Sequence, residues 1–261
     1  MNWNSVMGLV SSLALAGPVI LILLLGLGRY RSFPYLLAYF STVFIYNLIT
    51  GHYIHVSPET EYYWGMVNNL ADTPLMILFL TYFSTSRNFT RRMHLLTAGY
   101  IVFEAIVVSV IGLNTEAITI IMGPGLSISI GLCLYFFIRN TKQAIEKRKA
   151  TGKAVIVTSL LFGYGCYFLI YLLYYVFKAH IDSKGQVNLG YVNDTFLVYY
   201  ISATLSSFLM CIGLLIEYKR VQKLRELRIT RRELSAIYTT ETKRAVPLRT
   251  AMLDFDRELW N

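Results

Sequence analysis

Long apolar runs separated by short polar stretches dominate the chain. Seven of them reach the roughly 20 residues that an α-helix needs to cross about 30 Å of hydrocarbon. They cover 8–28, 35–54, 65–83, 95–113, 116–138, 154–177 and 195–216. The runs are continuous and do not alternate with polar positions, which excludes a transmembrane β-barrel. The pattern predicts an all-α integral membrane fold, a seven-transmembrane-helix bundle over 1–216 followed by a tail over 217–261. Tyr35, Trp64, Tyr174 and Tyr175 stand at run ends, where interfacial anchors belong. The narrowest boundary is the one between the fourth and fifth runs, where Asn114, Thr115 and Glu116 separate them. In the tail, Val221, Leu224, Leu227, Leu234 and Tyr238 recur at three- and four-residue steps with cations between them. That periodicity predicts an amphipathic helix, either continuing the seventh span or lying on the membrane. Pro247 ends its regular part. The stretch 178–194 is the longest loop on its side, and its Ser183-Lys184-Gly185 favours a turn.

Composition agrees with the pattern. The chain is 55% hydrophobic and 15% charged, with a mean hydropathy of +0.50. Soluble domains carry about 25% charged residues, so an ordinary soluble enzyme is excluded, as is a disordered chain. The net charge of +9 raises the question of which side the cations occupy. Arg29, Arg31, Arg87, Arg91, Arg92, six cations from Arg139 to Lys153 and eleven from Lys219 to Arg257 all fall on one face. Only Lys178 and Lys184 fall on the other. By the positive-inside rule the N-terminus is outside and the C-terminus cytoplasmic. The cation excess then states orientation, and no nucleic-acid partner is expected. Residues 1–7 carry no Lys or Arg, so the first run is expected to be a retained span and not a cleaved signal. The expected location is a bacterial cytoplasmic (inner) membrane. Cys133, Cys166 and Cys211 lie inside spans and read as small packing residues.

With charge so scarce, polar groups within the spans carry the interest, because an acid in the bilayer is costly and faces the bundle interior. Asp72 in span 3 and Glu104 in span 4 are two such acids. Asn68, Asn69 and Asp72 share one helical face, followed by Thr73-Pro74. Span 6 carries Tyr164, Tyr167 and Tyr171 at helical spacing, and span 7 adds Tyr199. Two readings stand: interhelical packing groups, or an aromatic-walled pocket in which phenols reach Asp72 for ligand binding or proton relay. Pro18, Pro74 and Pro124 lie within spans, and Gly123-Pro124-Gly125 predicts a bend in helix 5. Ser202, Ala203, Ser206 and Ser207 suit span 7 to close packing. His52 and His55, three residues apart, are metal candidates only with a third ligand, and no metal is expected. In the tail, Lys219, Arg220, Lys223, Arg225, Arg228, Arg231 and Arg232 are candidates to contact anionic headgroups, a cytoplasmic protein partner or a second copy of the chain.

The run from Asn68 to Phe79 resembles the third helix of microbial rhodopsins, which carries a carboxylate counterion, a Thr-Pro turn and a second carboxylate after a leucine-rich stretch. The seven spans and N-out topology are similar too, and Ser202-Ala203-Thr204 resembles that family's Ser-Ala-Lys. The resemblance covers about a dozen residues. It places Thr204 where the retinal-binding lysine would be, Asn68 at the counterion position, Phe79 at the donor position, and Asp72 where threonine is common. Covalent retinal is therefore disfavoured and no cofactor is expected. A second seven-span class, ceramidase- and progestin-receptor-like hydrolases, uses zinc on histidines in its last span, and span 7 here has none.

The function expected from these residues is that of a non-enzymatic sensor or receptor-like protein. It would bind a small ligand or a proton in an outward-facing polar-aromatic cavity and report through the basic tail. The alternatives are an ion or small-molecule carrier or channel, an intramembrane hydrolase, and a structural or assembly subunit.

Overall fold

A computed structural model of the protein describes residues 3–84, 86–147, 150–173 and 189–241. Seven α-helices account for most of the described residues, with no strand among them: α1 Trp3–Leu24, α2 Phe33–Thr50, α3 Pro58–Leu80, α4 Arg87–Ile111, α5 Thr115–Lys147, α6 Thr151–Tyr171 and α7 Leu189–Glu241. Six are long and apolar enough to cross a membrane, as a multi-pass membrane protein requires. The seventh, α3, is 23 residues long and more polar, because Glu59, Glu61, Asn68, Asn69 and Asp72 all lie in it. Leu24, Val110 and Phe208 point outward at 77%, 78% and 65% exposure. A bundle apolar on its outside as well as its inside suits lipid as its solvent.

Local chemistry sets the helix ends. Ser57 caps α3 by accepting from the Thr60 N–H at 3.3 Å, with Pro58 at the first position and Glu59 and Glu61 in the first turn. Asn114 accepts from the Ala117 N–H at 2.8 Å, which places the narrow boundary between α4 and α5 at residues 112–114. The helices begin and end a few residues from the apolar runs, and at the starts of α3 and α5 a capping side chain sets the boundary. Arg87, Arg91 and Arg92, read from sequence as loop residues, lie in the first two turns of α4. The presumed outer loop 178–194 is helical from Leu189 onward. Its remainder, with Lys178, His180 and Lys184, lies outside the described residues, as do Tyr174 and Tyr175 at the end of the sixth run and Pro247 in the tail. No break separates span 7 from the tail: α7 runs unbroken for 53 residues. Of the two readings of 217–242, a continuation of helix 7 is the one adopted.

Packing arranges α1, α2, α3, α5, α6 and α7 in a closed ring, each touching the next and α7 returning to α1. Helix α4 stands outside that ring against α3 and α5. The closest seam joins α6 and α7. Ser159 Oγ donates to the Ser206 carbonyl at 2.7 Å, and Ser206 Oγ donates back to the Ser159 carbonyl at 3.0 Å. A Cβ at Gly152 would lie 2.7 Å from the Glu217 nitrogen, and one at Gly213 would lie 2.7 Å from an Ile156 side-chain carbon. Small residues with reciprocal hydroxyl bonds are how helices approach closely where lipid competes for apolar contact. Gly165 of α6, by contrast, faces open space.

Helix α5 passes Pro124 without a break. Proline removes the donor for the Ile120 carbonyl, and the two carbonyls beside it are engaged from neighbouring helices. Tyr171 Oη donates to the Thr119 carbonyl at 2.8 Å, and Tyr100 Oη donates to the Ile121 carbonyl at 2.9 Å. The flanking glycines make room for both phenols. A Cβ at Gly123 would lie 2.9 Å from Tyr171 Oη, and one at Gly125 would overlap Tyr100 Oη and Thr73 Oγ1.

Candidate functional site

Helix ends α2, α3, α6 and α7 meet at one end of the ring around a cavity of about 270 Å³. Its depth is set by Leu15 of α1, Met122 and Leu126 of α5 and Leu160 of α6. Helix α3 presents Asn68, Asn69, Asp72 and Thr73 to it, at the three- and four-residue steps that put them on one face. Helix α6 contributes Gly163, Tyr164 and Tyr167, and α7 contributes Tyr199, Ser202, Ala203 and Ser206. Tyr164 Oη donates to Asp72 Oδ1 at 3.1 Å. The Tyr39 and Tyr164 rings lie nearly parallel with centroids 6.4 Å apart, and Tyr167 stands 6.4 Å from Tyr199. Asn68 Oδ1 is buried without a protein donor.

The structure thus brings seven of the residues singled out in the sequence to one place: Asn68, Asn69, Asp72, Thr73, Tyr164, Tyr167 and Tyr199. It does not bring Glu104 or Tyr171 there. Glu104 is on α4, outside the ring, at 7% exposure with Oε1 unpartnered. Being near the middle of a span did not place it inside the bundle, because α4 packs on α3 and α5 from the periphery. Tyr171 lies on the α6 stripe but turns to the proline region of α5. Thr204 is also absent from the lining. Its hydroxyl donates to the Tyr200 carbonyl at 2.7 Å, so the register implied by the rhodopsin resemblance does not point that position at the cavity. Phe79, at the position the resemblance gives to a donor, is wholly buried in the apolar core. His52 and His55 are exposed beyond α2, and among the described residues no third ligand joins them.

Six lining residues on α2 were missed, among them the polar Tyr39, Tyr46, Asn47 and Thr50. Asn47 is 4% exposed and donates to Ser12 Oγ at 3.1 Å. The signal was present, since positions 39, 43, 46, 47 and 50 share a helical face and Asn47 is a lone amide in an apolar run.

At the opposite end the ring is filled. Phe33, Phe79, Tyr82, Phe83 and Phe136 are each at most 2% exposed and pack against one another mostly edge-to-face or tilted, with Phe79 and Tyr82 stacked. Tyr82 carries this cluster into a polar one. Its hydroxyl donates to Glu217 Oε1, which also accepts from Arg220 Nε at 3.0 Å and Nη2 at 2.6 Å. Lys153 Nζ lies 5.2 Å from the centre of the Tyr82 ring. Glu217 is fully buried, a third enclosed acid that the sequence reading assigned to the start of the tail. Arg220 was expected to face lipid or a partner, but the bundle itself engages it. Lys219, Lys223 and Arg225 are exposed, Arg231 is half-buried, and the side chains of Arg228 and Arg232 are not among those described.

Compared with family models, curated proteins and solved structures, the chain matches none. What its own fold and site define is a helical bundle of membrane-spanning character with a polar-aromatic cavity at one end and an aromatic plug at the other.

Proposed function

We propose that the chain is a non-enzymatic sensor of the cytoplasmic membrane. A small molecule enters the cavity from the outer face, and α7 carries the bound state to the cytoplasmic side. The carrying observation is that one helix serves both ends. Residues Tyr199, Ser202, Ala203 and Ser206 of α7 wall the cavity, and the same helix continues unbroken to Glu241 with its basic positions. The distribution of cations supports the orientation, placing the cavity mouth outside and the α7 extension in the cytoplasm. The extension would then meet anionic headgroups, a cytoplasmic partner or a second copy. The aromatic plug disfavours an open channel, which needs a continuous path through the bundle.

Accessibility tests this reading. Asn69→Cys is placed in a chain whose Cys133, Cys166 and Cys211 are replaced by alanine, and a charged, membrane-impermeant thiol reagent is applied to sealed vesicles of each orientation. Modification is expected from the outer side alone. Equal modification from both sides would overturn the sensor in favour of a carrier, and modification from the cytoplasmic side alone would overturn the orientation.

A further inference from the structure

The charge inventory of the cavity is one-sided. Among its described lining residues Asp72 is the single charged side chain, with no Lys, Arg or His. Among the described residues no cation pairs with it. Its recorded partner is the Tyr164 phenol, which can donate a hydrogen bond and cannot balance a charge. A carboxylate held away from water is costly until it is paired, so the cavity as built is complementary to one positive charge.

The walls select the kind of cation. Tyr39, Tyr46, Tyr164, Tyr167, Tyr199 and Tyr200 line the same cavity as the carboxylate, and Tyr164 touches it. Aromatic faces attract an ammonium while accommodating apolar substituents on it. Asn68, one turn before Asp72 on the same face, adds an acceptor whose Oδ1 has no protein donor. The pole around Asp72 thus has acceptors to spare, and a ligand supplying N–H donors or a polarised N-methyl shell would satisfy them. A bare metal ion fits poorly, since one carboxylate and ring faces do not make an oxygen cage. About 270 Å³ lies near the small end of ligand pockets. A single acid likewise argues against a polyamine.

We infer that the cavity takes a small organic monocation, a primary or quaternary ammonium whose charged end meets Asp72 and whose apolar part lies among the tyrosine rings. The inference rests on the reading of the cavity as a ligand site and adds the ligand's chemical class.

The test uses the purified full-length chain in lipid nanodiscs and isosteric probe sets: phenethylammonium, phenethyl alcohol and 3-phenylpropionate, with choline against 3,3-dimethylbutanol. Binding is read by calorimetry and by thermal shift. At least one ammonium is expected to bind about tenfold or more tighter than its neutral isostere. Asp72→Asn should abolish that preference, and Asp72→Glu should retain it. A cooperative thermal unfolding transition like that of the wild-type chain shows that Asp72→Asn is folded. Equal or tighter binding of the alcohol or carboxylate by the wild-type chain would overturn the assignment of charge and leave the ligand cavity standing. The same holds for a preference that survives Asp72→Asn. Binding of no probe at millimolar concentration would overturn the ligand cavity and the assignment together.

Discussion

Glu217 has no exposed surface, yet it lies where the chain would be expected to leave the membrane. Its Oε1 gathers Tyr82 and both Arg220 nitrogens, and its Oε2 is buried with no donor. Removing Arg220 would strand that charge, whereas removing the Tyr82 hydroxyl would subtract one donor from it. Arg220→Ala is therefore expected to cost about 2–4 kcal/mol of unfolding free energy, below the fully buried range because Arg220 is partly exposed. Tyr82→Phe should cost about 1–3 kcal/mol. Unfolding in graded detergent mixtures measures both, and a larger loss for Tyr82→Phe would refute this account. Two glycines give a sharper contrast. A Cβ at Gly125 would overlap the Tyr100 and Thr73 oxygens, so Gly125→Ala should destabilise by about 1–3 kcal/mol. A Cβ at Gly165 meets nothing, so Gly165→Ala should stabilise α6 by roughly 0.5–1 kcal/mol. Thermal denaturation of the two variants should move the midpoint in opposite directions. Both residues look alike in sequence, each a glycine in an apolar run. What distinguishes them is the helix standing opposite.

At the scale of elements, the seam between α6 and α7 joins the cavity to the rest of the bundle, because Gly163 and Ser206 belong to both. The paired bonds between Ser159 and Ser206 should each be worth about 0.6 kcal/mol, as for other interhelical bonds in membranes. The two hydroxyls also lie 3.3 Å from each other, a contact that either substitution removes, so Ser159→Ala and Ser206→Ala combined are expected to cost less than the sum of the singles. A double-mutant cycle reads this, and strict additivity would mean that the bonds act independently. The small-residue face of α7 was visible in Ser202, Ala203, Ser206 and Ser207, and so was the polar face of α3. The position of α4 was not. Its run is as apolar as its neighbours', and nothing in it distinguishes a helix in the ring from one outside it. Glu104 was consequently grouped with Asp72 on the strength of depth alone.

For the whole molecule, the sorting of cations to one face predicts topology. A green fluorescent protein fused to the C-terminus should fluoresce in bacterial cells, and an alkaline phosphatase fused there should be inactive. The opposite pair of results would invert the molecule and place the cavity mouth in the cytoplasm. Two of the sorted cations also have an internal role: Lys153 lies over the Tyr82 ring and Arg220 pairs with Glu217. Counting them by side predicts an orientation and is uninformative about which of them face lipid.

The sequence by itself determined the helical class, the near positions of the spans, the polar face of α3 and the tyrosines of α6. These follow from hydropathy and from the 3.6-residue period, which are properties of one segment at a time. Tertiary structure decided which faces look at one another. It put Asp72 against Tyr164, brought Tyr39, Tyr46 and Asn47 of α2 into the same cavity, sent Tyr171 to the Pro124 turn, left Glu104 outside the ring and closed Tyr82 onto Glu217. A helical period shows that residues share a face, but the direction of that face depends on rotation about the helix axis. With apolar residues on every side of most helices, packing of small residues and pairing of polar groups set that rotation, and hydropathy does not.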